Sequence, residues 1–250
     1  LGGDEINEKA NMKPGDIRML LNETTGIHIQ QTSATSFNSS VRIQGLNGKY
    51  TQLLRDGMPM YGGLSSGLSL LQISPLDLQQ VEVIKGANST LYGGGAIAGL
   101  VNLVTKKPEA KPEKSMLFNL TSAGGADASG FYSSRLGDWG TRIFGSYNQN
   151  SAYNAADNGF SAIPKFERLS FNPHIFFESS EREFSIGVNA VKEGRIGGDM
   201  DYISGHRLRP AYFEQIETKR VSTQIEYISQ LESGDEFVFR NSFNSYQQEI

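Results

Sequence analysis

The chain has 250 residues, a formal net charge of -4 and no cysteine. That length allows one large domain or two ordinary ones. The missing cysteines exclude disulfides and thiol chemistry, and the mild acidity leaves no electrostatic footprint for nucleic acid. No run of eighteen apolar residues provides a transmembrane helix, and the opening LGGDEINEKA lacks the basic start and apolar core of a signal peptide. Leu1 in place of Met points to a processed chain or a fragment.

PGDIRMLLNETTG predicts a short helix that Pro14 starts and Gly26 stops, with Ile17, Leu20 and Leu21 on one stripe. Strands are expected at GIHIQQ, VRIQG, YTQLLRDG, QVEVIKG and GLVNLVTKK. A one-turn helix is expected at SPLDLQQ, where a serine precedes a proline at the first helical position. Together these pieces describe a small α/β sheet unit. LYGGGAIAGLVNLVTKKP, Leu91 to Pro108, is glycine-rich like a phosphate cradle, but a dinucleotide fingerprint needs a strand before its glycines and a helix after them. Here a turn comes first and a β-branched strand follows, so Gly93, Gly95 and Gly99 are read as places of tight turning and close packing. KKPEAKPEK then makes a charged, proline-containing hinge.

Beyond the hinge the period becomes two. Phe184, Ile186, Val188 and Ala190 share one face, as do Leu169, Phe171, Pro173, Ile175 and Phe177, and as do Val221, Thr223, Ile225 and Tyr227. About seven strands of roughly ten residues are expected, a length that crosses a bilayer when tilted. Tight turns at GDWG, ESSERE and ESGD alternate with long links at 150–164 and 193–217, apart from a short first link near AGGADA. That alternation is the pattern of an outer-membrane barrel. A soluble barrel or sandwich also alternates apolar and polar faces, so period alone leaves both open. An odd number of strands leaves an edge, and a truncated chain is the expectation.

The segments VRIQGLNGKYTQLLRDGMPMYGG and PLDLQQVEVIKGANSTLYGGGAIAGLVNLVTKKP, in this order, resemble the plug domain of TonB-dependent outer-membrane receptors. The resemblance covers residues 12–108, and alternating strands are what that family places next. It implies an α+β plug domain with a small mixed sheet, followed by antiparallel strands of a transmembrane β-barrel of about 22 strands, incomplete here. The expected division is plug at 1–108, hinge at 109–114 and first barrel strands at 115–250. The chain departs from the family at Gln44, where arginine is frequent, at Arg55, where an apolar residue is frequent, and at IKGANS. No TonB box is visible, so energy coupling follows from the resemblance alone.

By that resemblance the function is active transport: capture of a scarce ligand outside, an iron–siderophore chelate above all, and import by plug rearrangement. Haem, cobalamin and glycan cargoes remain open. The implied partners are TonB, the ligand and outer-membrane lipid of a Gram-negative bacterium, with room for a surface lipoprotein and no nucleic acid. No catalytic residue, metal site or cofactor is expected. Two loops offer ligand contacts: QQTSATSFNSS with Gln31, Thr32, Ser33 and Phe37, and MPMYGGLSSGLS with Met58, Met60, Tyr61 and Leu64, where methionine and tyrosine make an adaptable apolar surface. Arg42, Asp56, Glu82 and Lys85 are candidates for reversible polar contacts between plug and barrel wall, and the plug glycines are expected to lie close to that wall.

Other features carry less. GGLSSG spells the G-x-S-x-G elbow at Gly63 to Gly67, but it lacks the strand-to-helix setting of a hydrolase nucleophile. His28 reads as a packed strand residue rather than a haem ligand, and His206 as a loop residue. Asp199 and Asp201 provide too few oxygens for calcium. Trp139, Tyr147, Tyr227 and Tyr246 are candidates for an aromatic girdle. The rival from another class is a soluble α/β enzyme with a β appendage. A structural or adhesion protein is the third reading.

Overall fold

The computed structural model describes residues 2–12, 15–33, 35–60, 66–87 and 94–250. The N-terminal unit holds helices α1 (Gly3–Met12) and α2 (Arg18–Asn22) and strands β1 (Ile27–Gln31), β2 (Ser39–Ile43), β3 (Thr51–Arg55), β4 (Met58–Pro59), β5 (Ser66–Gly67), β6 (Leu78–Lys85) and β7 (Gly99–Thr105). One sheet has the order β1-β2-β5 and the other β4-β3-β7-β6. The second is mixed, because β3 runs parallel to β7 while β6 runs antiparallel to it.

The helical stripe Ile17, Leu20 and Leu21 is buried with Ile43, Leu53, Leu78, Val81 and Val101 in one core. Each such side chain contributes about 1.5–3 kcal/mol by leaving water. No pattern in GDEINEKANM announces α1. It is anchored by the fully buried Ile6 and by Lys9, whose ammonium lies 2.7 Å from both Glu5 and Glu23. Hydrogen bonds to Glu23 first and Glu5 second raise the Lys9 pKa.

The helix expected at SPLDLQQ is a turn: Leu78 N donates to Pro75 O at 3.0 Å and β6 begins at Leu78. Asp56 and Gly57, with φ of 50° and 75°, make the two-residue β3–β4 turn that an Asp-Gly pair favours. Gly99, with φ of 140°, lets β7 lie against β6, since a Cβ there would strike the Ile84 carbonyl. Gly95 packs on Gln52, its built Cβ lying 2.8 Å from the Gln52 Oε1. These close approaches lie within the N-terminal unit. Gly93 lies outside the described residues.

The rest of the chain is a seven-stranded antiparallel meander in the order β14-β13-β12-β11-β10-β9-β8. Its strands are β8 (Glu113–Leu120), β9 (Gly125–Leu136), β10 (Trp139–Asn150), β11 (Lys165–Glu178), β12 (Arg182–Gly198), β13 (Phe213–Gln230) and β14 (Glu236–Glu249). The link expected at 193–217 shrinks to 199–212. Its glycines read as loop, yet Gly194, Gly197 and Gly198 pair in register with Glu217, Glu214 and Phe213. Among the described residues no helix is long and apolar enough to cross a membrane, which does not bear on strands.

The two faces of this sheet are inverted relative to a soluble protein. Arg142, Asn148, Arg168, Asn172, Glu193 and Arg220 are buried against the N-terminal unit. Leu169, Phe171, Ile175, Ile186, Val188 and Val221 point the other way and are exposed. Leu169 to Phe177 is eight residue steps, about 27 Å along the strand, or roughly 21 Å of depth at a 40° tilt, close to the ~25 Å apolar band of an outer-membrane barrel. Trp139, Phe177, Phe184, Tyr227 and Phe239 pair successively across five neighbouring strands on this exposed face, and Tyr147 stands at the far end of the band on β10. Tyr246 does not belong with them. It pairs with Arg220 and therefore shares the inward face.

Candidate functional site

The inward face of the meander meets the N-terminal unit through polar groups at three levels. At the end of the long links, the Glu214 carboxylate on β13 accepts hydrogen bonds from Ser33 Oγ at 3.1 Å and Thr35 Oγ1 at 2.9 Å. Arg195 on β12 donates to the Ser36 carbonyl at 2.8 Å. Gly197 makes this approach possible, because a Cβ there would collide with the Thr35 carbonyl oxygen. Only this tertiary contact shows why a side chain is excluded at Gly197.

At the middle level Arg168 on β11 donates to the carbonyls of Gly15, at 2.7 Å, and Leu71. Glu193 lies between Arg168 and Arg195, 3.3 Å from the first and 3.0 Å from the second. Leu71 packs on Ile216, the one small apolar cluster between the two units among the described residues. Gly15 approaches Asp127 on β9 so closely that a Cβ would lie 3.2 Å from its Oδ1.

At the end of the short turns, Asp77 accepts from Arg55 and, at 2.7 Å, from Asn172 on β11. Asp56 accepts from the Thr105 hydroxyl at 2.8 Å, and Thr105 in turn accepts from Arg142 on β10. Arg142 also donates to the Lys106 carbonyl at 2.8 Å and lies 3.0 Å from His174 Nδ1. Gly187 leaves the space that the His174 ring occupies. Gln224 on β13 donates to the Arg55 carbonyl at 2.9 Å. An interface of this kind is held by discrete hydrogen bonds and ion pairs and not by a sealed apolar core.

A small mixed-sheet unit held by arginines on the inner face of an inverted meander is a specific arrangement. The family model for the TonB-dependent receptor plug domain matches residues 4–100. Residues 4–100 form a TonB-dependent receptor plug domain. Over 111 residues it is 33% identical to the ferric aerobactin receptor of Klebsiella pneumoniae, an alignment covering 44% of this chain and 14% of that protein. Over 91 residues it is 34% identical to the vitamin B12 transporter BtuB of Vibrio vulnificus, covering 36% of this chain and 15% of that protein. The solved siderophore receptor PirA of Acinetobacter baumannii superposes with a TM-score of 0.76 at 16% identity, over 97% of this chain and 39% of that one. That likeness concerns the fold and extends through the meander, whose strands resemble the barrel wall of these receptors. The chain spans about two fifths of that solved receptor.

The residues singled out from sequence fall into several places. Ser33 ties the plug to wall residue Glu214. Gln31 and Thr32 are exposed at the end of β1, and Phe37, at a φ of 62°, lies under the Arg18 guanidinium at 4.5 Å. Met58 and Met60 are buried, Met60 within the plug core. Tyr61, Leu64 and the Ser65 of GGLSSG lie outside the described residues. Asp56 reaches the wall through Thr105.

Glu82 instead accepts from Asn102 at 2.9 Å inside the plug, and Arg42 donates to Gly45 in its own turn. Lys85 is exposed beside Gly26. Besides Ser33 and Asp56, contacts with the seven wall strands fall to residues that single positions did not advertise, among them Arg55, Asp77, Arg168 and Arg195. Arg55 had one visible signal, a charge where the family favours an apolar residue. His28 is exposed rather than packed. Asp199 caps the helical turn Met200–Ile203 and pairs with Arg207, so its carboxylate is already engaged. Backbone hydrogen bonding from Ala211 first, then from Tyr202, with the Arg207 charge, holds its pKa below the ordinary value.

Proposed function

We propose that this chain is part of an outer-membrane receptor of a Gram-negative bacterium that captures an iron–siderophore chelate and imports it when TonB pulls on the plug. The observation that carries the reading is the pairing of opposite faces: a polar, arginine-held plug contact inside and an apolar, aromatic-edged band outside. A wall of that kind suits lipid, and a plug held by exchangeable hydrogen bonds suits rearrangement without unfolding. The sequence likeness to a ferric aerobactin receptor favours a ferric chelate as cargo. The likeness to a vitamin B12 transporter favours a corrinoid as the second reading.

In this reading the chain transports and does not catalyse. The plug gives way to the wall in the hinge, which spans 109–112 and not 109–114 because β8 already begins at Glu113, and loop 31–37 faces the cargo with Gln31, Thr32 and Phe37. Arg42, Glu82 and Lys85 then stand ready for wall strands other than the seven described. The test is binding to the full-length purified receptor, titrated calorimetrically with ferric hydroxamate and ferric catecholate chelates and with vitamin B12. Saturable binding of a ferric chelate supports the first reading, saturation by vitamin B12 alone supports the second, and binding of neither class overturns both.

A further inference from the structure

The inward face of the wall holds one buried carboxylate between two buried guanidinium groups. Glu193, Arg168 and Arg195 are 2%, 3% and 4% exposed. Glu193 Oε1 accepts from Arg195 Nε at 3.1 Å and lies 3.0 Å from its Nη2. Glu193 Oε2 lies 3.3 Å from Arg168 Nη1. The Phe166 ring lies against both guanidinium groups, at 5.5 Å from Arg168 and 5.0 Å from Arg195. Two cations and one anion leave an excess positive charge away from water. Backbone carbonyls of the plug compensate it: Ser36 for Arg195, Gly15 and Leu71 for Arg168. Asn148 adds a 3.4 Å contact to Arg168.

We propose that Glu193 is a positioning residue that couples plug loop 32–38 to the plug segment 15–18 through the wall. By sharing its two oxygens it aims one arginine at the Ser36 carbonyl and the other at Gly15. When loop 32–38 moves away, Arg195 loses its carbonyl and draws on both oxygens of Glu193. The longer contact, to Arg168, gives way first. Arg168 then loses the carboxylate that orients its fork, and its hold on Gly15 and Leu71 loosens. Because the arginines grip carbonyls, the coupling does not depend on plug side chains at those positions.

A shorter route exists inside the plug, where Arg18 covers Phe37 at 4.5 Å and reaches Ser39 Oγ at 3.4 Å. The test must separate the two. It uses the full-length receptor purified from outer membrane, with hydrogen–deuterium exchange read by mass spectrometry over residues 15–22, 32–38 and 99–105. Gly197→Ala displaces the loop while leaving Arg195 in place, since a Cβ there meets the Thr35 carbonyl, and Glu193→Gln cuts the wall route alone. The expected result is faster exchange at 32–38 in G197A, with exchange at 15–22 rising roughly fivefold, within the range of couplings in one ion network. In the E193Q background, G197A then leaves 15–22 unchanged.

Three results overturn the proposal: no change at 15–22 in G197A, an undiminished change there when Glu193 is already glutamine, or a parallel rise at 99–105 that signals release of the whole plug. Should G197A fail to assemble, E214A, which removes the acceptor of Ser33 and Thr35 and spares Arg195, is read in the same way. The proposal rests on the transport reading only in placing loop 32–38 at the cargo side. The exchange experiment needs no cargo, so it can fail while ligand binding stands, and the reverse.

Discussion

Replacing Asp77 by asparagine removes one charge from the short-turn end of the plug–wall contact and almost nothing else. Asp77 is 2% exposed, and its Oδ2 accepts from both Arg55 and Asn172. Without the carboxylate, Arg55, itself 5% exposed, keeps its charge with no anion bonded to it. Arg142 and Arg220 add like charge to the same neighbourhood. Breaking one side of a buried ion pair costs about 3–5 kcal/mol, because the remaining charge is left uncompensated. Removing both charges, as in Arg55→Met with Asp77→Leu, should recover most of that. The residue of the damage would be about 1–3 kcal/mol for the acceptor that Asn172 loses. The assay is exchange of the β3 and β7 amides against urea in the full-length receptor, which reports opening of the plug while the barrel stays folded. D77N within about 1 kcal/mol of wild type, or a double variant as damaged as D77N, would refute the reasoning from buried charge.

Arginine at Ile186 or Val188 should destabilise the folded wall by about 2–4 kcal/mol near the bilayer midplane, measured by urea-dependent folding into lipid vesicles; a neutral outcome would count against a lipid-facing surface. Gly197→Ala should displace loop 32–38, since the new methyl group meets the Thr35 carbonyl, while Gly194→Ala, with open space around it, should not; exchange at 32–38 distinguishes them. The folded-state pKa of Asp199 is depressed, so its contribution is fully present above the ordinary carboxylate pKa and is lost as pH falls through the folded value. Link 199–212 should therefore loosen only on acidification below about 4, seen as proteolytic cleavage within the link at low pH and none at neutral pH.

The local elements were largely legible because their signals are local. The Ile17, Leu20 and Leu21 stripe and the alternation from Leu169 to Phe177 are each written within a few residues, and each appears in the fold. Helix α1 was not, because one anchor, Ile6, and one bridging lysine do not make a period. The end of β12 was misread because glycine lowers strand propensity, while pairing with β13 overrides it. The plug–wall contacts were the least legible part. Arg168 and Glu193 are separated by 25 positions, and nothing near either tells that they meet beneath Gly15. Alternation did place Arg168 on the polar face, but whether that face holds water or a plug is decided by a distant segment. Met58 and Met60 show the converse, for an apolar loop pair looks alike in sequence whether it faces a ligand or the core.

The central claim is energised import through this plug. The most direct measurement is uptake of a radio-iron-labelled ferric chelate by cells carrying the full-length receptor, before and after a protonophore collapses the proton-motive force. The account predicts receptor-dependent uptake that stops on collapse while binding at the cell surface persists. Uptake that continues undiminished without that force, or iron accumulation identical in cells lacking the receptor, would contradict it.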